Sequence, residues 1–393
     1  MPLTSLIESR RVILCVGSGG VGKTTTSAAL GLAAARRGKR ALCLTIDPAR
    51  RLAQSLGLEA LTADAQVVDP RLLREVGVEV TGSLTVMMVN TKRTFDEIVE
   101  RYASTPEARE RILGNKLYHY VSTALAGTQE YMAMEKLHEV KGRGEFDLIV
   151  LDTPPTANAL DFLDAPLRLI DALDSPAMRW FVQAFRSSGK LSLNLLAKSA
   201  ALAIRGVGRF TGGRFLQDVA EFLTEINELF GGFRERAREV QASLRAPDVA
   251  YLLVTSPSPM AIAEALYFSD RLIDLGMQAD GFVVNRIHAF PRFLPTAQEI
   301  VAAMSRNAVR LDARGPDTLL QALRDEVLQA ELDARHLHVL DDALKQMPRR
   351  PVRVDVEAFS HDVHDIPSLD QVARILVRPR APSASSALSA TAG

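Results

Sequence analysis

The sequence has little cysteine, and its charges cancel. Only two cysteines, Cys15 and Cys43, occur among 393 residues, and Lys plus Arg equals Asp plus Glu at 47 each. Two cysteines, each inside an apolar run, exclude a disulfide-stapled scaffold and indicate a reduced, cytoplasmic protein. A net charge of zero argues against a protein whose whole surface binds nucleic acid.

Long hydrophobic runs are also missing. No stretch reaches the ~20 apolar residues that span a bilayer. The first apolar run is interrupted at once by glycines and Lys23, so no signal peptide is predicted. We therefore expect a cytoplasmic protein whose contact with a membrane, where there is any, is peripheral.

Short apolar runs alternate with helical patterns along the chain. Strands that are apolar on both faces belong to parallel sheets covered by helices on each side, so the pattern predicts a doubly wound, mostly parallel α/β fold. The predicted strands are residues 12–16, 41–45, 84–89, 148–151, 251–254 and 282–284.

The segment GSGGVGKT at residues 17–24 matches the phosphate-binding pattern G-x-x-x-x-G-K-[ST]. It follows a predicted strand and opens a helical pattern, which is the context that this P-loop motif requires. Lys23 is predicted to reach the β- and γ-phosphates, the Thr24 hydroxyl to bind Mg²⁺, and Thr25 either to contact the α-phosphate or to cap the helix. The predicted nucleotide-binding residues of the loop are Gly17, Ser18, Gly19, Gly20, Val21, Gly22, Lys23, Thr24 and Thr25.

Two aspartates end predicted strands. Asp152 follows LIVL, the pattern of a Walker B acid that holds Mg²⁺ through water, and Asp47 follows LTI. Both should lie at the carboxyl edge of the sheet beside the phosphates, where both are predicted to hold Mg²⁺ through water. Either could instead cap a following helix. Hydrolysis needs a positioned water, and Asp47 is the predicted residue for that role.

The chain is predicted to contain a P-loop core with a helical insertion. Residues 1–160 and 247–378 are assigned to the core, 161–246 to an α-helical insert subdomain, and 379–393 to a disordered tail rich in Ala, Ser and Pro. Within the insert, residues 175–217 contain seven basic residues and no acidic ones. Such a stretch suits an anionic membrane surface, although a solvated helical cap is the simpler alternative.

Five segments together resemble one family. GSGGVGKTTT, TIDPARRLAQSLG, GTQEYMAMEKL, FDLIVLDTPPTANALDFLDAP and FVVNR look like the P-loop, switch I, intervening helix, switch II and adenine-recognition elements of the ArsA-like ATPases. That family, of the deviant Walker A class, includes the arsenite-pump ATPase and the ATPase that delivers tail-anchored membrane proteins. The likeness is strongest to the actinobacterial proteins labelled anion-transporter ATPases, and it covers most of residues 10–290.

The resemblance implies roles for particular residues. Asp47 is implied to orient the attacking water, and Asp152 to sense Mg²⁺ and the γ-phosphate. Asn285 is implied to hydrogen-bond adenine with Arg286 beside it, while an exposed loop asparagine is the alternative. Stacking of the base on Phe359 is left open.

Three departures from the family's pattern matter. Ser18 stands where the class carries a lysine that reaches the partner's phosphates in a nucleotide-sandwich dimer. The chain then either pairs with a lysine-bearing paralogue, uses Arg50 or Arg51 instead, or hydrolyses ATP slowly. Two buried cysteines cannot build the three-thiolate arsenite site, and without a C-x-x-C segment no zinc clasp is expected.

The resemblance implies a cytoplasmic, Mg²⁺-dependent ATPase that forms a homodimer or a heterodimer with a paralogue. Its nucleotide cycle is expected to open and close a helical surface for a hydrophobic protein client or an anionic membrane. One alternative is a weakly hydrolysing regulatory subunit of a heterodimer. Another is a positioning ATPase like ParA or MinD, although the charge balance does not favour nucleic acid as the partner.

Overall fold

The structure is a computed structural model that describes residues 3–46, 50–115, 118–119, 122, 128–154, 171, 235–291, 293–307 and 315–378. The chain divides into two compact units. The first comprises Met1–Met87, Phe146–Ala157 and Pro247–Gly393, and the second comprises Met88–Glu145 and Asn158–Ala246. The boundaries of the predicted insert at 161–246 stay a prediction, because most of that range lies outside the described residues.

An eight-stranded sheet forms the centre of the first unit. Its strands are β1 (Val12–Val16), β2 (Arg40–Thr45), β3 (Gln66–Val67), β4 (Ser83–Met88), β5 (Leu148–Asp152), β6 (Val249–Thr255), β7 (Ala279–Ile287) and β8 (Val352–Glu357). They lie in the order β3-β4-β2-β5-β1-β6-β7-β8. The pairs β1–β5, β1–β6, β2–β5, β6–β7 and β7–β8 are parallel, and β3–β4 is antiparallel. The predicted doubly wound, mostly parallel α/β fold is therefore confirmed.

The described helices surround this sheet or make up the second unit. In chain order they are α1 (Thr4–Ser9), α2 (Lys23–Ala35), α3 (Arg50–Ser55), α4 (Pro70–Glu75), α5 (Thr91–Tyr102), α6 (Pro106–Gly114), α7 (Thr128–Arg143), α8 (Pro259–Asp274), α9 (Ala297–Arg306), α10 (Gly315–Gln346) and α11 (Ile366–Val377). Residues 235–244 are also helical. Helices α5, α6 and α7 and residues 235–244 belong to the second unit.

Two strands of the sheet are absent from the sequence prediction. β3 has only two residues, which is too short to leave an apolar pattern. β8 lies at the edge of the sheet, and its sequence VRVDVE alternates valine with charged residues. Such alternation suits a strand with one solvated face, whereas the prediction relied on runs that are apolar on both faces.

Helix α2 packs closely against the sheet because its residues are small. Its sequence is KTTTSAALGLAAA, and eleven of its thirteen residues are buried. A Cβ on Gly31 would lie 2.4 Å from Sγ of Cys43 and 2.9 Å from Cδ1 of Leu84. The helix can therefore approach β2 and β4 only with glycine at this position. This packing fixes the start of α2 at the carboxyl edge of the sheet, next to the end of β1.

Candidate functional site

The loop between β1 and α2 has the conformation that its glycines allow. Gly20 and Gly22 have φ values of +77° and +96°, in the left-handed region that side chains disfavour. A Cβ on Gly17 would lie 2.0 Å from the carbonyl oxygen of Val254, so this residue passes directly against β6. Because α2 begins at Lys23, the loop leads straight into a helix N-terminus, where backbone N–H groups and the helix dipole favour a phosphate.

Lys23 lies folded over this loop. The residue is 8% exposed, and Nζ donates a 2.8 Å hydrogen bond to the carbonyl oxygen of Ser18. The bond holds the ammonium group at the mouth of the loop, where a phosphate-binding lysine is required. Ser18 also has a buried hydroxyl, and this Oγ makes no hydrogen bond to any residue that the structure describes.

The two predicted Mg²⁺ ligands that the structure describes are in direct contact. Thr24 donates from Oγ1 to Oδ2 of Asp152 at 2.6 Å, and Thr45 donates to the same oxygen at 3.2 Å. Asp152 ends β5 and is 4% exposed. One hydroxyl and one carboxylate fit Mg²⁺, which is held in NTPases by one or two such ligands together with phosphates and water. The third predicted ligand, Asp47, lies outside the described residues.

At the end of β7, Asn285 contacts the phosphate-binding loop. Its Nδ2 donates to the carbonyl oxygen of Val21 at 2.8 Å, and a Cβ on Gly22 would lie 2.2 Å from that nitrogen. Glycine at position 22 is therefore required by the neighbouring strand as well as by its own φ angle. With Nδ2 bonded to the loop, Oδ1 is the amide atom that could accept from a base. A role for Asn285 in binding adenine stays a prediction.

Arg286 follows in a strained conformation. Its φ is +61°, the one positive value of a non-glycine residue in the described part of the chain. Such a conformation costs an arginine about 1–2 kcal/mol, and strain of this kind concentrates at functional sites. Arg286 lines both cavities that adjoin the P-loop.

The larger of these cavities, of about 950 Å³, extends from the phosphate-binding loop to the segment after β8. Gly22, Thr24 and Thr25 line one part of it, and residues 357–364 line another. Phe359, the open candidate for base stacking, is among them, and its ring centroid lies 6.4 Å from that of His361. The volume is in the range of a small-molecule site.

A second cavity, of about 540 Å³, lies along the first half of the loop. Ser18, Gly19 and Gly20 line it, together with Met260, whose side chain is 72% exposed. A longer side chain at position 18 would have to leave the buried position of the serine hydroxyl and extend into this cavity.

Both cysteine thiols are buried in strands, in the apolar runs where the sequence placed them. Burial raises the pKa of Cys15 to about 12 and also raises the pKa of Cys43. A thiol must lose its proton to attack or to bind a soft metal, so neither is suited to such chemistry.

Several predicted features lie outside the described residues or side chains. These are the basic window at 175–217, the tail at 379–393, and the side chains of Arg50 and Arg51. No helix in the described part of the chain combines the length and apolarity needed to cross a bilayer.

One residue of the larger cavity that was not predicted from the sequence has an unusual partner. His288 lines this cavity and contacts Asp333 of α10. The two residues are far apart in the chain and belong to no motif. Of the nearby segment after β8, only Phe359 was considered from the sequence.

Known proteins resemble this chain over the same region. The profile of the ArsA ATPase family, described as anion-transporting ATPase, matches residues 10–293. A putative arsenical pump-driving ATPase 1 of Aquifex aeolicus is 26% identical over 287 residues, which are 70% of this chain and 63% of the relative. A putative arsenical pump-driving ATPase of Chlorobaculum tepidum is 24% identical over 70% of this chain and 61% of its own length. ATPase get3 of Pyrenophora tritici-repentis is 24% identical over 74% of this chain and 78% of the relative.

The chain thus spans less than two thirds of both arsenical pump relatives. The family match nevertheless covers most of the chain and includes β1, the P-loop, Asp152 and Asn285. The chain belongs to the ArsA family of anion-transporting ATPases.

Proposed function

We propose that the chain binds ATP and hydrolyses it to ADP and phosphate with Mg²⁺. The observation that carries this proposal is the contact of Thr24 with Asp152 at the start of the helix that the phosphate-binding loop leads into. Membership of the ATPase family supports it. The nucleotide is held in the cavity that Thr24, Thr25 and Asn285 line.

In the proposed reaction a water attacks the γ-phosphorus, and the bond to the β–γ bridging oxygen breaks. Lys23 balances the negative charge that develops on the phosphate oxygens. Asp47 orients the water and accepts its proton directly or by relay. Thr24 and Asp152 would hold Mg²⁺, which would supply positive charge against the phosphates.

We propose further that the protein works in the cytoplasm as a dimer. Its nucleotide cycle changes a surface that handles a partner in this proposal, and the relatives named arsenical pump-driving ATPases support coupling of hydrolysis to a partner. The partner we propose is a hydrophobic protein or an anionic membrane surface, bound by the helical insert. Arsenite is not proposed, because both thiols are buried and hold their protons.

A specific observation favours a second candidate, a weakly hydrolysing subunit of a heterodimer. Position 18 has a serine, whose main-chain oxygen accepts from Lys23, and a serine cannot supply a cation to a partner's nucleotide. A cation supplied in this way accelerates other NTPases by about 10³–10⁵. A paralogue with lysine at this position would restore it.

The test is phosphate release by the purified full-length chain with Mg²⁺ and ATP. We expect Asp47→Asn to abolish turnover while ATP still binds, and Lys23→Ala to weaken binding as well. Turnover that survives both substitutions would overturn the assignment of the site. ATP binding without turnover, with turnover appearing on addition of a lysine-bearing paralogue, would establish the second candidate instead.

A further inference from the structure

His288, directly after β7, is held by a buried carboxylate. Its Nδ1 lies 2.8 Å from Oδ2 of Asp333, and its backbone N–H donates to the same oxygen at 2.9 Å. Asp333 belongs to α10 and is 3% exposed. Gln329, one turn earlier in α10, donates from Nε2 to the other carboxylate oxygen at 3.3 Å. These bonds compensate the burial of the carboxylate and fix its orientation.

This arrangement determines which ring nitrogen of His288 is available. A carboxylate accepts only, so Nδ1 carries the proton that it shares with Asp333. In the neutral ring Nε2 is then a hydrogen-bond acceptor. The side chain is 33% exposed and lines the larger cavity. Because Nδ1 is bonded to Asp333, Nε2 is the ring nitrogen left to bind a group in the cavity.

Helix α10 also contacts the end of a second strand. Nδ1 of His336 lies 3.1 Å from the carbonyl oxygen of Pro257, just after β6. The helix is therefore fixed to the segments that follow β6 and β7. Asp333 thus belongs to a helix that is held at two points, and a positioning residue requires such a rigid support.

His288 lies toward the end of the cavity that a nucleoside would occupy. Thr24 and Thr25 line the part at the P-loop, and Asn285 contacts that loop directly. His288 follows Asn285 by three residues in the chain and lies beside the segment after β8. At this point the N–H of Ala358 donates to the carbonyl oxygen of Ile287 at 2.9 Å. The donors on that part of ATP are the ribose hydroxyls and the adenine amino group.

We propose that His288 binds the nucleoside part of the nucleotide, with Nε2 accepting a hydrogen bond from a ribose hydroxyl or the adenine amino group. Asp333 is its positioning residue, because it sets the tautomer and the angle of the ring. The inference rests on the proposed function, in which the cavity binds ATP.

The experiment measures the affinity of the full-length chain for Mg²⁺-ADP by titration calorimetry. One lost hydrogen bond of this kind corresponds to about 5–10-fold in affinity, and we expect this loss for His288→Ala. His288→Gln retains an acceptor and should recover part of it. His336→Ala is the matched control, because it removes another histidine contact of α10, one to a backbone carbonyl, without altering a residue that lines the cavity; it should change affinity less than twofold.

Nucleotide analogues identify the donor. If a ribose hydroxyl donates, His288→Ala and the wild type should bind 2′-deoxy-ADP or 3′-deoxy-ADP equally. If the adenine amino group donates, the two proteins should bind IDP equally, since inosine lacks that group. A loss that is the same for all four nucleotides would overturn the proposal.

A spectroscopic readout separates positioning from general support of the fold. In the wild type, ¹⁵N spectra of labelled histidine should show His288 protonated at Nδ1, with an Nε2 resonance that shifts when ADP binds. Asp333→Asn should yield a mixture of tautomers and weaker ADP binding, with an unchanged circular dichroism spectrum. An Nε2 resonance that saturating ADP leaves in place would overturn the role of His288. Wild-type protein that fails to bind ADP would instead overturn the nucleotide site itself.

Discussion

Thr24 donates a 2.6 Å hydrogen bond from Oγ1 to Oδ2 of Asp152, which joins the first turn of α2 to the end of β5. Strand β5 pairs with β1 in parallel, so the strand that leads into the phosphate loop and the strand that carries the acid end at one edge of the sheet. The two groups proposed to hold Mg²⁺ are thus brought together by sheet order alone.

Replacing Asp152 should alter the Mg²⁺ dependence of hydrolysis more than the affinity for nucleotide. For Asp152→Asn we expect Mg²⁺ affinity or activity to fall by about 10–100-fold, as when other outer-shell carboxylates of metal sites are replaced. Binding of ADP without Mg²⁺ should change little. The measurement is phosphate release against Mg²⁺ concentration. Thr45→Val, which removes the 3.2 Å bond to the same oxygen, is the milder control, and an unchanged Mg²⁺ dependence in Asp152→Asn would contradict the assignment.

Gly17 should not tolerate a side chain. Because a Cβ there would meet the carbonyl oxygen of Val254 at 2.0 Å, Gly17→Ala must displace the loop from β6. We expect a loss of ADP affinity of more than tenfold, measured by calorimetry. The control is Gly276→Ala, where φ is +74° and no atom lies within 4 Å. That variant should lose about 1 kcal/mol of stability from backbone strain and keep its ADP affinity.

In the second unit, a buried ion pair joins α7 to the helix at residues 235–244. Nε of Arg236 lies 2.7 Å from Oε1 of Glu135, and the two side chains are 14% and 3% exposed. Removing one partner of such a pair leaves an uncompensated charge and costs about 3–5 kcal/mol. For Arg236→Ala we therefore expect faster hydrogen exchange in α7, measured at pH 7. Arg236→Met with Glu135→Leu should exchange more slowly than Arg236→Ala, since no charge is left buried.

The same pair gives a pH dependence with a definite sign. Burial raises the pKa of Glu135 above its ordinary value, even with Arg236 beside it. A carboxyl whose pKa is higher in the folded state takes up a proton there more readily than in the unfolded state, so its burial costs less as pH falls. The extra exchange in Arg236→Ala should thus diminish between pH 7 and pH 5. A defect that is constant over this range would show that Glu135 is not the cause.

The sequence predicted the parts of this molecule that depend on local patterns. Six of the eight strands, the P-loop and the position of Asp152 follow from apolar runs and one motif, because a parallel sheet aligns the ends of such strands. β8 was missed because its valines alternate with charged residues, as is typical of an edge strand, whereas the prediction relied on continuous apolar runs. The contact of His288 with Asp333 was not predictable, since it depends on how α10 packs against a loop 45 residues away.

Asn285 lies between these cases. Its position after a strand was visible in the sequence, and a role in binding adenine was implied by the resemblance. Its bond to the carbonyl oxygen of Val21 was not visible in the sequence, because the bond depends on β7 lying two strands from β1 in the sheet.

The most consequential substitution is at Ser18. Ser18 is one of the residues that line the 540 Å³ cavity beside the loop. A lysine would have to leave the buried position that the serine Oγ occupies and extend through this cavity toward a partner's nucleotide. For Ser18→Lys we expect at least a tenfold rise in kcat and a dimer in analytical ultracentrifugation that depends on bound ATP, since a cation supplied in trans balances charge that develops on the γ-phosphate.

Ser18→Gln separates charge from length, because it extends the side chain without adding a cation. It should leave kcat near the wild-type value. Two further variants test whether the chain already has another cation: Arg50→Ala and Arg51→Ala should lower the wild-type rate if either arginine serves this role. A wild type as fast as Ser18→Lys, and insensitive to both arginine substitutions, would mean that Lys23 alone supplies the charge that hydrolysis needs.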